Sequence, residues 1–176
     1  MLVILLGDPE VGRKTFIERV KGSTCLDVDN CTVTGEEHGC RIRAPMLDTD
    51  AASASLGDVG HLIVMYNTQN RTSFDHLMNW SSTFLGVAGT PPKVHTSVIL
   101  LGTHIDQGPA FEGHDEMVKA LLDVLLEHYK SADSRTMSTL HDTPESLRAI
   151  LPTRHQHAKS KGSWTGVCSM CAAPTL

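Results

Sequence analysis

The sequence predicts an α/β fold, a mostly parallel sheet with helices on both faces, and three observations lead there. Three apolar runs, Leu2 to Leu6, Leu62 to Tyr66 and Ser97 to Leu101, are rich in Val, Ile and Leu and too short for helices. Each is followed by turn-forming residues and then by a segment with helical signals. Strands that alternate with helices imply parallel pairing, with ligands placed outside the carboxyl ends of the strands.

The first run opens onto Gly7-Asp-Pro-Glu-Val-Gly-Arg-Lys-Thr15, and Thr15 to Val20 reads as a helix. Strand, glycine-bounded loop and helix make a phosphate cradle, because successive backbone N–H groups and the positive helix end face one anion. Gly7 and Gly12 stand at the two glycine positions of the G-x-x-x-x-G-K-[ST] motif. Arg13 then replaces the motif's lysine, Lys14 replaces its metal-binding hydroxyl, and Thr15 comes one place late. Two registers are open. In one, Arg13 and Lys14 supply the positive charge that lysine and Mg²⁺ normally supply. In the other the loop slips by one residue, restoring Lys14 and Thr15 to those places at the cost of a bulge around Glu10. A plain strand–helix turn is the bland alternative.

Further along, Cys31 to Thr34 and Cys40 to Leu47 read as two strands around the glycine-bounded turn Gly35 to Gly39, which adds one antiparallel edge strand. Pro45 weakens the second strand or marks a bulge. Ser73 is placed to cap a helix over Phe74 to Leu85. His114 to Tyr129 is an amphipathic helix with Met117, Leu121, Leu122, Leu125 and Tyr129 on one side. Ser131 to Ser163 lacks sustained apolar periodicity and reads as a surface insertion, within which Thr143 caps and Pro144 opens a short helix to Leu151. Thr165 to Met170 is the last strand expected, with no closing helix after it. All of this fits one domain over residues 1–176.

Composition removes several function classes. A formal net charge of −5 gives no case for nucleic acid or an anionic membrane as partner. No apolar run approaches the roughly 20 residues that span a bilayer, and no basic segment precedes an apolar one at the start, so secretion is not expected. Five cysteines, odd in number and scattered, suit reduced thiols in a cytoplasmic compartment. Cys168-x-x-Cys171 has no second pair to complete a zinc site, and no metal ligands are assigned.

Two more elements fall at strand ends. Leu47-Asp-Thr-Asp50 offers a carboxylate that can hold Mg²⁺ through water. Gly102-Thr-His-Ile-Asp106 offers one that can accept from both the N1–H and the exocyclic amine of guanine, a donor pair that adenine lacks.

With Val167-Cys-Ser-Met170 and the passage Tyr66 to Phe74 running on to Trp80, these elements occur in one order over nearly the whole chain. In that order the chain resembles a Ras-superfamily small GTPase, most nearly the divergent Rab-like subunits of intraflagellar transport. The resemblance implies a P-loop NTPase, G-domain-like fold with shortened switches and GTP or GDP as ligand. It implies Glu10, Val11, Gly12, Arg13, Lys14 and Thr15 on the phosphates, and Thr103, His104, Asp106, Ser169 and Met170 around guanine.

The departures fall on catalysis. Asp48-Thr-Asp-Ala-Ala52 puts Ala51 where the family's glycine meets the γ-phosphate, and Ala52 where its glutamine orients water. No catalytic residue is therefore assigned. The switch I threonine has no single counterpart among Ser23, Thr24, Thr32 and Thr34, and His104 replaces the lysine that lies against the base. The end Ala173-Pro-Thr-Leu176 is no prenylation box, so no direct membrane anchor is expected. The implied function is a nucleotide-binding adaptor, poor at hydrolysis and docked on coiled-coil subunits of a transport complex, in the cytoplasm and the cilium or flagellum. A GTP-hydrolysing Rab-like switch, a P-loop kinase or ATPase, and a vestigial fold without nucleotide are the alternatives. The kinase reading is disfavoured by Asp106 and by the lack of an Arg-rich lid.

Overall fold

Successive side chains of a strand point to opposite faces, so a strand without polar residues must be covered on both. The first strand, β1 (Leu2–Leu6), is such a strand, and it is central. Val3 and Leu5 enter one hydrophobic core, while Ile4 and Leu6 enter another on the opposite face. The computed structural model describes residues 2–22, 31–33, 40–44, 59–77 and 96–152. After β1 these hold α1 (Arg13–Lys21), β2 (Cys31–Val33), β3 (Cys40–Arg43), β4 (Val59–Asn67) and a helix α2 over 71–77. Then follow β5 (Ser97–Thr103), α3 (His114–His128), β6 (Ser131–Thr136) and α4 (Pro144–Arg148).

The sheet order is β2-β3-β1-β4-β5-β6. Five strands, β3, β1, β4, β5 and β6, run parallel, with Leu5 opposite Ile63, Ile63 opposite Ile99 and Ile99 opposite Asp133. At the far edge β2 pairs with β3 antiparallel, Cys31 opposite Ile42 and Val33 opposite Cys40. On one face Phe16, Ile17 and Val20 of α1 pack with Leu147, Ile150 and Leu151. On the other, Phe74 and Leu77 of α2 pack with Val118, Leu121 and Leu125 of α3. The fold is α/β with helices on both faces. Among the described residues no helix is long and apolar enough to cross a membrane.

The second core has a polar tip. The Tyr66 hydroxyl lies 2.9 Å from His114 Nε2, and His114 Nδ1 lies 2.8 Å from Asp115 Oδ1. Tyr66 packs edge-on against Phe74. Burial first, and the negative charge of Asp115 second, push its phenol well above the ordinary value.

Two expectations are corrected here. The stretch from Ser131 is not a surface insertion as far as it is described. Ser131–Thr136 is β6, parallel to β5 from Ser97 opposite Ser131 to Gly102 opposite Thr136. An edge strand with one face mostly exposed needs no apolar run, so hydropathy does not reveal it. The short helix expected after it is present. Thr143 Oγ1 accepts from the Ser146 amide at 3.2 Å, and Leu147, Ile150 and Leu151 are buried against the core. Second, Ser73 does not cap α2. The helix begins three residues earlier than expected, at residue 71; Asn70 Oδ1 accepts from the Thr72 amide at 3.0 Å, and Ser73 Oγ accepts instead from the Asn67 amide at 3.2 Å. Residues 153–163, the strand expected at Thr165 to Met170 and the end of the helix expected to Leu85 lie outside the described residues.

If residues 144–151 belong to the core, truncating Leu147, which is fully buried, must open a cavity. Leu147→Ala should cost about 2–5 kcal/mol in urea denaturation. A change within about 0.5 kcal/mol, as at a surface position, would restore the insertion reading.

Candidate functional site

Three turns meet beyond the carboxyl ends of β1, β5 and β6. The first needs its glycines. Gly7 has φ +146°, and a Cβ there would stand 2.6 Å from the Met65 carbonyl oxygen and 2.7 Å from Val11 Cγ2. Gly12 is left-handed at φ +86°, and a Cβ there would meet Thr139 Oγ1 at 2.9 Å. Between them Pro9–Val11 form a 3₁₀ turn, with the Val11 amide donating to the Asp8 carbonyl at 3.3 Å. Arg13, directly after the second glycine, is the first residue of α1.

The side chains of this loop diverge. Arg13 is buried. Lys14 is exposed, its Nζ 4.0 Å from Glu18 Oε1 along the outer side of α1, and Thr15 is half-buried. An exposed i,i+4 pair of this kind contributes about 0.3–0.5 kcal/mol, too little to hold Lys14 away from a stronger partner. Glu10 is exposed, and the Asp8 carboxylate is bound by His76 of α2 at 3.0 Å from Nδ1. The loop thus carries negative charge of its own, which opposes an anion and leaves backbone N–H groups, Arg13 and Lys14 to outweigh it.

Thr103, fully buried at the end of β5, ties the first turn to the second. Its Oγ1 lies 3.1 Å from the Val11 carbonyl oxygen, 2.9 Å from that of Tyr66 and 2.8 Å from His104 Nδ1. One hydroxyl proton goes to one of the two carbonyls, while the oxygen can accept from Nδ1–H. His104 has φ +64°, the one left-handed non-glycine among the described residues. Asp106 follows in the 3₁₀ turn Ile105–Gln107. Its carboxyl is held below the usual carboxylate range, first by the Ser138 hydroxyl, opposed next by desolvation, and then by its own backbone amide and the charges of His141 and His104.

The third turn is the one sequence reasoning missed. The Met137 amide donates to the Gly102 carbonyl at 2.8 Å, which carries the β5–β6 pairing into the loop. Ser138 is buried there, and its Oγ accepts from the amides of Leu140 at 3.3 Å and His141 at 3.0 Å. The Ser138 amide donates to Asp142 Oδ2 at 2.9 Å. Thr139 is buried over Gly12, Leu140 is 59% exposed, and the Arg19 guanidinium of α1 donates to the carbonyls of Leu140 and Asp142.

The structure therefore brings Val11 and Gly12 together with Thr103, His104 and Asp106 and adds Ser138 to His141, while Glu10 and Lys14 are exposed, Arg13 is buried and Thr15 is half-buried. Ser169 and Met170, expected around the base, lie outside the described residues, as do Asp48, Ala51 and Ala52. A usable signal was present in the sequence. Thr143-Pro144 marks a helix start shortly after Ser138, and a strand–turn–helix unit needs a strand before it. Among the described residues no group of three His, Cys, Asp or Glu side chains is arranged to hold a metal ion. No protein-family model matches the chain, and no curated protein matches its sequence.

The Ser138 hydroxyl is the largest influence on Asp106, so Ser138→Ala should move the Asp106 titration upward. A carboxyl lowered in the fold stabilises it above the unfolded value, about 3.9, and that contribution is lost as pH falls through the folded value. The variant should therefore lose it at a higher pH. A carbon-13 titration of the side-chain carboxyls with an unchanged Asp106 midpoint would show that Ser138 does not hold it.

Proposed function

We propose that the chain is a guanine-nucleotide-binding domain of the small GTPase type that hydrolyses poorly and works as an adaptor. The observation that carries this reading is the Thr103 hydroxyl, within hydrogen-bonding distance of the Val11 carbonyl, at the start of the turn that carries Asp106. A glycine-bounded loop that can cradle phosphates is thereby fixed relative to an acceptor-only carboxylate that can read the two donors of guanine. The sheet order and the placement of all three turns at strand carboxyl ends support it. In this reading Ser138 takes the place assigned above to Ser169, and the exposed Leu140 side chain is available to lie against a base.

Arg13 and Lys14 supply the cationic side chains at the loop–helix junction. The residues there do not fit the family's Mg²⁺. Lys14 holds the hydroxyl's position and an ammonium cannot ligate a cation, so no step is assigned to a metal. Poor hydrolysis follows from Ala51 and Ala52, neither of which can orient an attacking water. The adaptor role on coiled-coil subunits of intraflagellar transport rests on the sequence resemblance. Depletion in a ciliated or flagellated cell should impair assembly of the organelle, and normal organelles after complete depletion would remove that role.

Denaturing purified protein and chromatographing the released nucleotide tests binding and turnover together. GTP supports the non-hydrolysing adaptor, GDP a working GTPase, and ATP the kinase class. Asp106→Asn exchanges an acceptor-only group for an amide, so GTP affinity should fall by about 10²- to 10⁴-fold while xanthosine triphosphate gains. Unchanged GTP binding in this variant would refute the guanine assignment.

A further inference from the structure

We propose, on the reading that Asp106 recognises guanine, that His141 is a competing counter-ion for that carboxylate and makes nucleotide retention acid-sensitive. His141 Nε2 lies 3.7 Å from Asp106 Oδ2. Guanine recognition requires both carboxylate oxygens, one for N1–H and one for the exocyclic amine. In its protonated form the imidazole is held at Oδ2 by charge; in its neutral form that hold is gone. An imidazole changes charge between about pH 5 and 8, whereas a lysine or arginine does not. A ligand that needs Oδ2 must then displace His141 and release its proton, so its affinity must fall as the solution becomes more acidic.

The geometry allows the displacement. The His141 side chain is 72% exposed, so it can leave without breaking the core. Its backbone is tied into the same turn, because its amide donates to Ser138 Oγ at 3.0 Å, so the ring stays near the carboxylate. Among the described residues three other charged or titratable groups bear on it. His104 also acts on Asp106, but its ring is tied through Nδ1 to Thr103. The Asp142 carboxylate is tied to the Ser138 amide. The Arg19 guanidinium on α1 is engaged with the Leu140 and Asp142 carbonyls. Asp106 itself is held below the usual carboxylate range, so its carboxylate stays ionised in mild acid.

The test is GDP affinity of the full chain at pH 7.5 and 5.5 for wild type, His141→Ala and His141→Lys. GDP's own phosphate ionisation and His104 are common to all three, so the ratio of wild-type to His141→Ala dissociation constants isolates His141. That ratio should be near one at pH 7.5 and rise roughly three- to tenfold at pH 5.5, within the limit of tenfold per pH unit for one coupled proton. His141→Lys, a permanent cation at the same place, should weaken GDP binding at both pH values. A ratio that does not change with pH, or a His141→Ala variant that binds more weakly than wild type, overturns the proposal while leaving guanine binding intact. Absence of GDP binding in all three proteins at both pH values would instead refute the guanine reading, and this proposal with it.

Discussion

A single buried hydroxyl holds the working end of this domain together. Thr103 Oγ1 sits among the Val11 carbonyl, the Tyr66 carbonyl and the His104 ring, where the ends of β1, β4 and β5 converge. No water competes for it, because Thr103 is fully buried. Leaving such a group's partners unsatisfied costs about 1–3 kcal/mol, so the arrangement is held firmly once made. It couples a loop after the first strand to a turn nearly a hundred residues later, through one atom.

Close backbone approach makes that coupling possible. A Cβ at Gly7 would collide with Met65, one at Gly12 with Thr139, and one at Gly102 with Thr68 and the Tyr66 hydroxyl. These three contacts lie at the carboxyl ends of neighbouring strands, so the turns interlock at backbone distance and side chains are left to present chemistry outward. The same tightness extends through the Met137 amide on the Gly102 carbonyl to Ser138, and through Ser138 to Asp106. Asp106 is therefore positioned by a strand pairing as much as by its own turn.

The electrostatics of the site differ from a simple anion cradle. Asp8 and Glu10 place acid in the loop itself, and His76 offsets the first of them. Around Asp106 the nearby cationic groups are imidazoles, where the resemblance places a lysine.

Much of the domain is local and legible in the sequence. Apolar runs of strand length, the glycines bracketing residues 7–12, the helical periodicity of His114 to His128 and the Thr143-Pro144 helix start depend only on neighbours along the chain. So the α/β class and the position of the first turn were readable without a structure. Tertiary structure decided the rest. β6 is polar because one side of an edge strand faces solvent, so only its pairing with β5 identifies it. Ser138 became a site residue because that pairing delivers it to Asp106, and the direction of Lys14 follows from where the 3₁₀ turn starts the helix. Asn70 and not Ser73 caps α2, because Ser73 Oγ is drawn to the Asn67 amide at the end of β4. Periodicity and capping residues report the energy of a segment with itself, whereas these four features are set by contacts with other parts of the fold, which a chain read in order does not contain.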